Sequence, residues 1–127
     1  MISFVDFRIR DGSPVYLQII DFIERGIAAD IIKDGDELPS RRILSAFLGI
    51  NPNTVQKACR ILEERGVIES RSGSKSLITV DEKQKASIRR RLISEAAAAL
   101  VENMKQMGMS REDTVALIEA VWKEDDR

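Results

Sequence analysis

The residues best placed to do chemistry in this chain are Asn53, Lys57 and Arg60, spaced four and three apart, with Gln56 at the border of the row they form. On a helix that spacing gathers them on one face. Amide, ammonium and guanidinium groups arranged in this way donate hydrogen bonds to phosphate oxygens and base edges. The chemistry on offer is recognition, because the groups that bond-breaking needs are scarce. The 127 residues include no histidine and one cysteine, Cys59. The usual general base and the commonest metal ligand are therefore missing. There is no glycine-rich phosphate loop and no visible constellation of acid, base and nucleophile. Enzymatic activity, a metal and a cofactor are not expected.

Two short helices must position that row. In residues 40–62, SRRILSAFLGINPNTVQKACRIL, Ser40 follows Pro39 and is suited to cap a first helix that Gly49 ends. Asn51 is suited to cap a second, with Pro52 at its first helical position, where a missing N–H costs nothing. Val55, Ala58, Cys59 and Leu62 recur at the spacing of a buried face, opposite Asn53, Lys57 and Arg60. A helix-turn-helix needs one side held to the core and the other free to enter a major groove. Periodicity alone leaves an ordinary surface helix pair open, so the flanking sequence has to decide.

Hydrophobic residues are 43% of the chain and charged ones 32%, the balance of a globular protein able to bury a core. No apolar run is long enough to span a bilayer, and MISFVDFRIRDG lacks the pattern of a signal peptide. The expectation is a cytoplasmic protein with no membrane partner. A single cysteine excludes a disulfide framework and fits a reducing compartment. The net charge of −1 hides a division. Residues 1–39 hold four basic and eight acidic side chains, a net −4; residues 40–75 hold seven basic ones (Arg41, Arg42, Lys57, Arg60, Arg65, Arg71, Lys75) and three acidic, a net +4. Local positive charge attracts a phosphate backbone even when the whole chain is slightly acidic.

Ile2, Phe4, Phe7 and Ile9 nearly alternate with polar residues, which predicts an extended arm or weak strand stopped by a turn at 11–14. The arm would lie as a flap on its own domain or pad a dimer interface. Pro14 opens a helix to about Asp30, with Tyr16, Ile19, Ile20, Ile23 and Ile27 on its apolar face. Gly26 is an odd interior residue there, excused by close packing. Leu17 and Phe22 sit off that face and are assigned to loosely covered core over partner contacts. Residues 31–36 reverse the chain about Asp34-Gly35, and Glu37-Leu38 can add a very short strand. Gly66 ends the second helix of the pair. Residues 67–71 and 77–80 are strand-like and are joined into a hairpin by Ser72-Gly73-Ser74-Lys75-Ser76. Arg71 and Lys75 put positive charge at its tip. In isolation this is a solvated turn; directly after a helix-turn-helix it is a wing that reaches an adjacent groove or phosphate.

From 82 to 107 the sequence is strongly helix-forming. Ile93, Ala97, Leu100, Met104 and Met107 step by four, three, four and three, and Ala86 extends the row, giving a short seam of coiled-coil type. Gly108 ends it. Ser110-Arg111-Glu112-Asp113 has the form of a capping box for a last helix, whose apolar face is Val115, Ile118 and Trp122, flanked by Leu117 and Val121. A tail this apolar has little to pack on in a small domain. It is read as packing on its copy in a second chain, in preference to the first helix, because a DNA reader of this size usually needs two half-sites. Arg89-Arg90-Arg91 is read as a solvated helix face rather than a phosphate contact.

The residues also resemble a known family. Pro14, Tyr16, Gln18 and Ile19, then Gly35-Asp36, Leu38-Pro39-Ser40, Arg42, Leu44, Leu48-Gly49, Asn53-Thr54-Val55, Ala58, Leu62, Gly66, Ile68 and Gly73 are similar to the winged-helix domain of the GntR family of bacterial transcription regulators. The similarity covers roughly residues 14–80. A short two-helix tail in place of a large effector-binding domain resembles the YtrA subfamily, which Asn51-Pro52-Asn53-Thr54-Val55-Gln56-Lys57-Ala58 fits closely. The resemblance implies a homodimeric repressor binding an inverted repeat. It implies that Ser40 and Arg42 contact phosphate and base, that Asn53, Thr54 and Gln56 lie at the groove end of the recognition helix, and that Gly73 lets the wing approach the minor groove. The chain departs from the family pattern at Arg41 and Ile43, where acidic residues are usual. It also departs in the wing, where Gly73-Ser74-Lys75-Ser76-Leu77 stands for Gly-x-Gly-Thr and an aromatic; Lys75 is then a candidate phosphate contact.

The expected protein is mainly α with a small β-hairpin: a winged helix-turn-helix domain with an N-terminal arm at 1–80, then a two-helix dimerisation tail at 81–127. DNA contacts are assigned to Ser40, Arg41, Arg42, Asn51, Asn53, Thr54, Gln56, Lys57, Arg60, Arg71, Gly73 and Lys75. Dimer contacts are assigned to Ile93, Ala97, Leu100, Met104, Met107, Val115, Ile118 and Trp122. The partners are a double-stranded DNA operator and a second copy of the chain; no effector is identified. The competing reading is a winged-helix protein–protein adaptor, which the acidic first segment keeps open.

Overall fold

A computed structural model describes residues 1–73 and 75–126; Ser74, which the sequence assigns to the hairpin tip, and Arg127 lie outside the described residues. The elements run α1 (Val15–Ala28), β1 (Glu37–Leu38), α2 (Arg41–Leu48), α3 (Pro52–Glu64), β2 (Ile68–Ser70), β3 (Ser76–Ile78), α4 (Glu82–Gln106) and α5 (Arg111–Asp125). The chain forms two compact units, Met1–Arg90 and Arg91–Arg127. The division falls inside α4, beyond the change of sequence character at Val80–Asp81. The start of α4 belongs with the first unit because Lys85 pairs with Asp30 at 2.7 Å, Arg89 donates to the Ala28 carbonyl at 2.8 Å, and Ile88 is buried.

α1 packs on α3. Ile19, Ile20, Ile23 and Ile27 of the one and Val55, Ala58, Cys59 and Leu62 of the other are buried. Each buried isoleucine, valine or leucine among them contributes about 1.5–3 kcal/mol, so this seam is the main anchor of the first unit. Tyr16, expected on the same face, is only half-buried. Gly26 is half-buried in the seam's flank, where a Cβ would collide with the buried Ile32 side chain; close packing does account for it.

The N-terminal arm is a flap on its own unit, and it is not a strand. Phe4 and Phe7 are buried, and with Phe22 they form an aromatic cluster with centroids 4.9–5.8 Å apart. The arm turns back on itself where Phe7 N–H meets the Phe4 carbonyl at 3.1 Å, and its Ile2 N–H reaches a sheet residue, the Glu37 carbonyl at 2.8 Å. Gln18 clamps the far end: its carbonyl oxygen accepts from Arg10 N–H at 2.9 Å, and its amide donates to the Arg10 and Ser13 carbonyls. Phe22 is thereby half-covered core, as expected, whereas Leu17 stays exposed.

The expected hairpin is part of a three-stranded antiparallel sheet of order β1-β3-β2. Glu37 pairs with Leu77 and Leu38 with Ser76 on one edge; Ile68 pairs with Ile78 and Ser70 with Ser76 on the other. β3 ends before Val80 because the Val80 N–H is taken by the Asp34 carboxylate at 2.9 Å. In the second unit Gly108, at φ +76°, stops α4, and Ser110 caps α5 by accepting from Asp113 N–H at 3.1 Å.

Candidate nucleic-acid interface

The turn between α2 and α3 is built from residues whose roles are local. Gly49 adopts φ +67°, a left-handed conformation that a side chain disfavours. Ser40 Oγ accepts from Ile43 N–H at 3.2 Å, and Asn51 Oδ1 accepts from Asn53 N–H at 2.8 Å. Both residues are caps first. That leaves Ser40 its hydroxyl proton, and Asn51 its amide protons, as donors to a partner.

The buried row of α3 fixes its rotation, and the opposite row faces solvent. Asn53, Gln56, Lys57 and Arg60 are all exposed, and Thr54 is half-buried beside them. The Lys57 ammonium sits 4.1 Å from the centroid of the Tyr16 ring, a cation–π contact that steadies it without cancelling its charge. Arg42 is exposed in the first turn of α2. Arg41 is not equivalent to it. Its Nε is buried with no hydrogen-bond partner among the described residues, and its guanidinium lies beside Cys59. Burial pushes the Cys59 thiol up, and Arg41 offsets only part of that, so the thiol is neutral and inert at ordinary pH. Arg41, assigned to DNA from the sequence, is turned partly inward.

The sheet rearranges the charge pattern. Lys75 lies 3.5 Å from Glu37, which belongs to the acidic first segment but is carried alongside the wing by β1–β3 pairing. Arg71 lies 3.4 Å from Glu69 and Arg60 lies 3.8 Å from Glu64. Apart from the half-buried Glu37 these side chains are exposed, and such pairs are exchangeable and worth about 0–1 kcal/mol. Arg65 is different: it reaches the buried Glu24 at 3.0 Å and serves the core. Among the described residues, Arg41, Arg42 and Lys57 have no carboxylate partner. Gly73, at φ +77°, has open space where a Cβ would stand.

Most of the residues assigned to a dimer interface lie uncovered in the single chain. Ile93, Ala97, Met107, Val115 and Trp122 are exposed, the tryptophan 69% so; Leu100, Met104 and Ile118 are half-buried. Two apolar side chains that sequence reasoning did not single out as exposed are Ile43 and Phe47 on α2, at 58% and 60%. Their one-turn spacing is the signal that was available.

Residues 15–78 match the family described as bacterial regulatory proteins, gntR family. The HTH-type transcriptional regulator YhcF of Bacillus subtilis (strain 168) is 29% identical over 109 residues, 86% of this chain and 90% of that one. The HTH-type transcriptional repressor YtrA of the same organism is 40% identical over 74 residues, 58% of this chain and 57% of the repressor. Among solved structures, a GntR family transcriptional regulator from Listeria monocytogenes is similar with a TM-score of 0.79 and 27% identity, over 88% of this chain and 98% of that one.

Proposed function

The chain belongs to the gntR family of bacterial regulatory proteins, a family of helix-turn-helix transcription regulators, and from that premise we propose that it is a homodimeric repressor that binds an inverted-repeat operator in double-stranded DNA. The observation that carries the reading is α3: buried through Val55, Ala58, Cys59 and Leu62, bare at Asn53, Gln56, Lys57 and Arg60. Such a helix enters a major groove with its N-terminal residues toward base edges. Asn53 and Gln56 then supply amides suited to adenine, while Arg60 supplies a guanidinium for guanine or phosphate. Ser40 and Arg42 hold the backbone at the start of α2, and Asn51 and Thr54 add contacts at the start of α3. Lys57, Arg71 and Lys75 add phosphate contacts, and Gly73 keeps the wing tip slim.

A repressor role is supported by the 40% identity to the repressor YtrA. Dimerisation is supported by the uncovered apolar rows of α4 and α5, which a second copy would bury. Among the described residues no helix is long and apolar enough to cross a membrane; the cytoplasmic site of action belongs to the DNA-binding reading itself.

The test is Arg42→Ala, measured by anisotropy on an operator selected from random duplexes. Binding should weaken at least fivefold, the size of one charged nucleic-acid contact of about 1–3 kcal/mol, with the circular dichroism spectrum unchanged. Wild-type affinity in the variant would reject the assignment. The competing reading, a protein–protein adaptor, draws on the exposed Ile43 and Phe47. Salt separates the two: binding through several phosphates falls steeply as salt rises, whereas an apolar contact does not weaken.

A further inference from the structure

We propose that the cleft between α4 and α5 is a binding site for a lipophilic organic cation, and that this ligand competes there with a second copy of the chain. The cleft lies wholly in the second unit. Leu100 and Met104 form one wall, Leu117, Ile118, Val121 and Trp122 the other, and its volume is ≈ 470 Å³. That is the size of a small-molecule site, and the apolar lining is typical of one.

The charge at its mouth selects the ligand. Asp125 and Asp126 are the charged side chains lining it, and among the described residues neither makes an ion pair. They stand at the C-terminal end of α5, where the helix dipole also favours positive charge. Trp122 presents its ring at 69% exposure, and an indole face attracts a cation. An apolar slot lined by a tryptophan and by two carboxylates at a helix C-terminus favours a bulky hydrophobic cation. It repels an anion and leaves the carboxylates without a partner when the ligand is neutral.

Leu100, Met104, Ile118 and Trp122 also belong to the surface assigned to the second copy, so the two occupants exclude one another. This competition rests on the proposed dimer; the binding site does not. Trp122 is the single tryptophan of the chain, so its fluorescence reports on the cleft directly. Titrating the full chain with tetraphenylphosphonium should give a saturable change in Trp122 emission. The doubly substituted Asp125→Asn, Asp126→Asn chain should bind at least fivefold more weakly, and so should neutral triphenylphosphine oxide on the wild-type chain. No saturable change, or equal affinity for the neutral probe, would overturn the site. Sedimentation along the same titration should show dimer converting to monomer as fluorescence saturates. Saturation with the dimer intact would overturn the competition. A chain already monomeric before any probe is added would overturn the dimer, and the fluorescence arm would still judge the site.

Discussion

At Gly26 the backbone is helical and the neighbour is unforgiving. A Cβ there would stand 2.7 Å from Ile32 Cγ1, and Ile32 is buried. Gly26→Ala gains about 1 kcal/mol of helix propensity but overpacks a filled site at about 1–3 kcal/mol. The expected result is net destabilisation of about 1 kcal/mol by thermal unfolding; a more stable variant would show that Ile32 moves aside. Arg65 is a second case in which position outweighs type. It was counted with the basic patch, yet it reaches buried Glu24 across the core at 3.0 Å. Arg65→Ala removes a partner from a buried carboxylate and should cost about 1–3 kcal/mol of stability. Arg42→Ala, by contrast, should leave stability unchanged and reduce DNA binding. If the two variants behaved alike, the separation between core and recognition charge would be wrong.

Between elements, the join of α1 to α4 depends on two polar contacts. The hydrogen bond and then the charge of Lys85 hold the Asp30 carboxyl below its ordinary value, and Asp30 in turn holds the Lys85 ammonium above its own. A lowered carboxylate contributes stability above the ordinary carboxylate range and loses it as pH falls through the lowered value. A raised ammonium contributes below the ordinary lysine range and loses it as pH rises through the raised value. The contact is therefore at full strength through neutral pH and fails at both extremes. In Lys85→Ala the Asp30 midpoint, followed by NMR, should move upward, and amide exchange in the first turns of α4 should quicken. An unmoved midpoint would remove Lys85 as the cause.

For the whole molecule, the decisive question is what covers the second unit. Its exposed Ile93, Val101, Met107, Val115, Val121 and Trp122 form more apolar surface than scattered single residues need. Leu100→Glu combined with Met104→Glu should yield monomers in sedimentation and lose the avidity of two half-sites on an inverted repeat. A dimer that survives both charges would move the interface elsewhere. The charge map also changes at this scale. A net +4 segment, in which Glu69 is already counted, behaves as a weaker patch once Glu37 stands by the wing and Arg65 is drawn to Glu24. The salt dependence of DNA binding should accordingly report fewer phosphates than the seven basic residues in that segment.

What could be read from the sequence was set by interactions between near neighbours. Ser40, Asn51 and Ser110 cap the helices they precede, Gly49 and Gly108 stop helices with left-handed backbone, and the buried row of α3 lies where its spacing placed it. The bare Asn53–Lys57–Arg60 row follows from that same helical period, so most of the candidate site was legible. Tertiary structure decided the pairings that no local rule constrains: Glu24 with Arg65 across 41 positions, the phenylalanine cluster under the arm, and the third strand that carries Glu37 to Lys75. It also turned Arg41 inward while leaving Arg42 free, two identical side chains one residue apart. A helical step of 100° separates them, and only the packing of α2 on α3 determines which of the two meets the core.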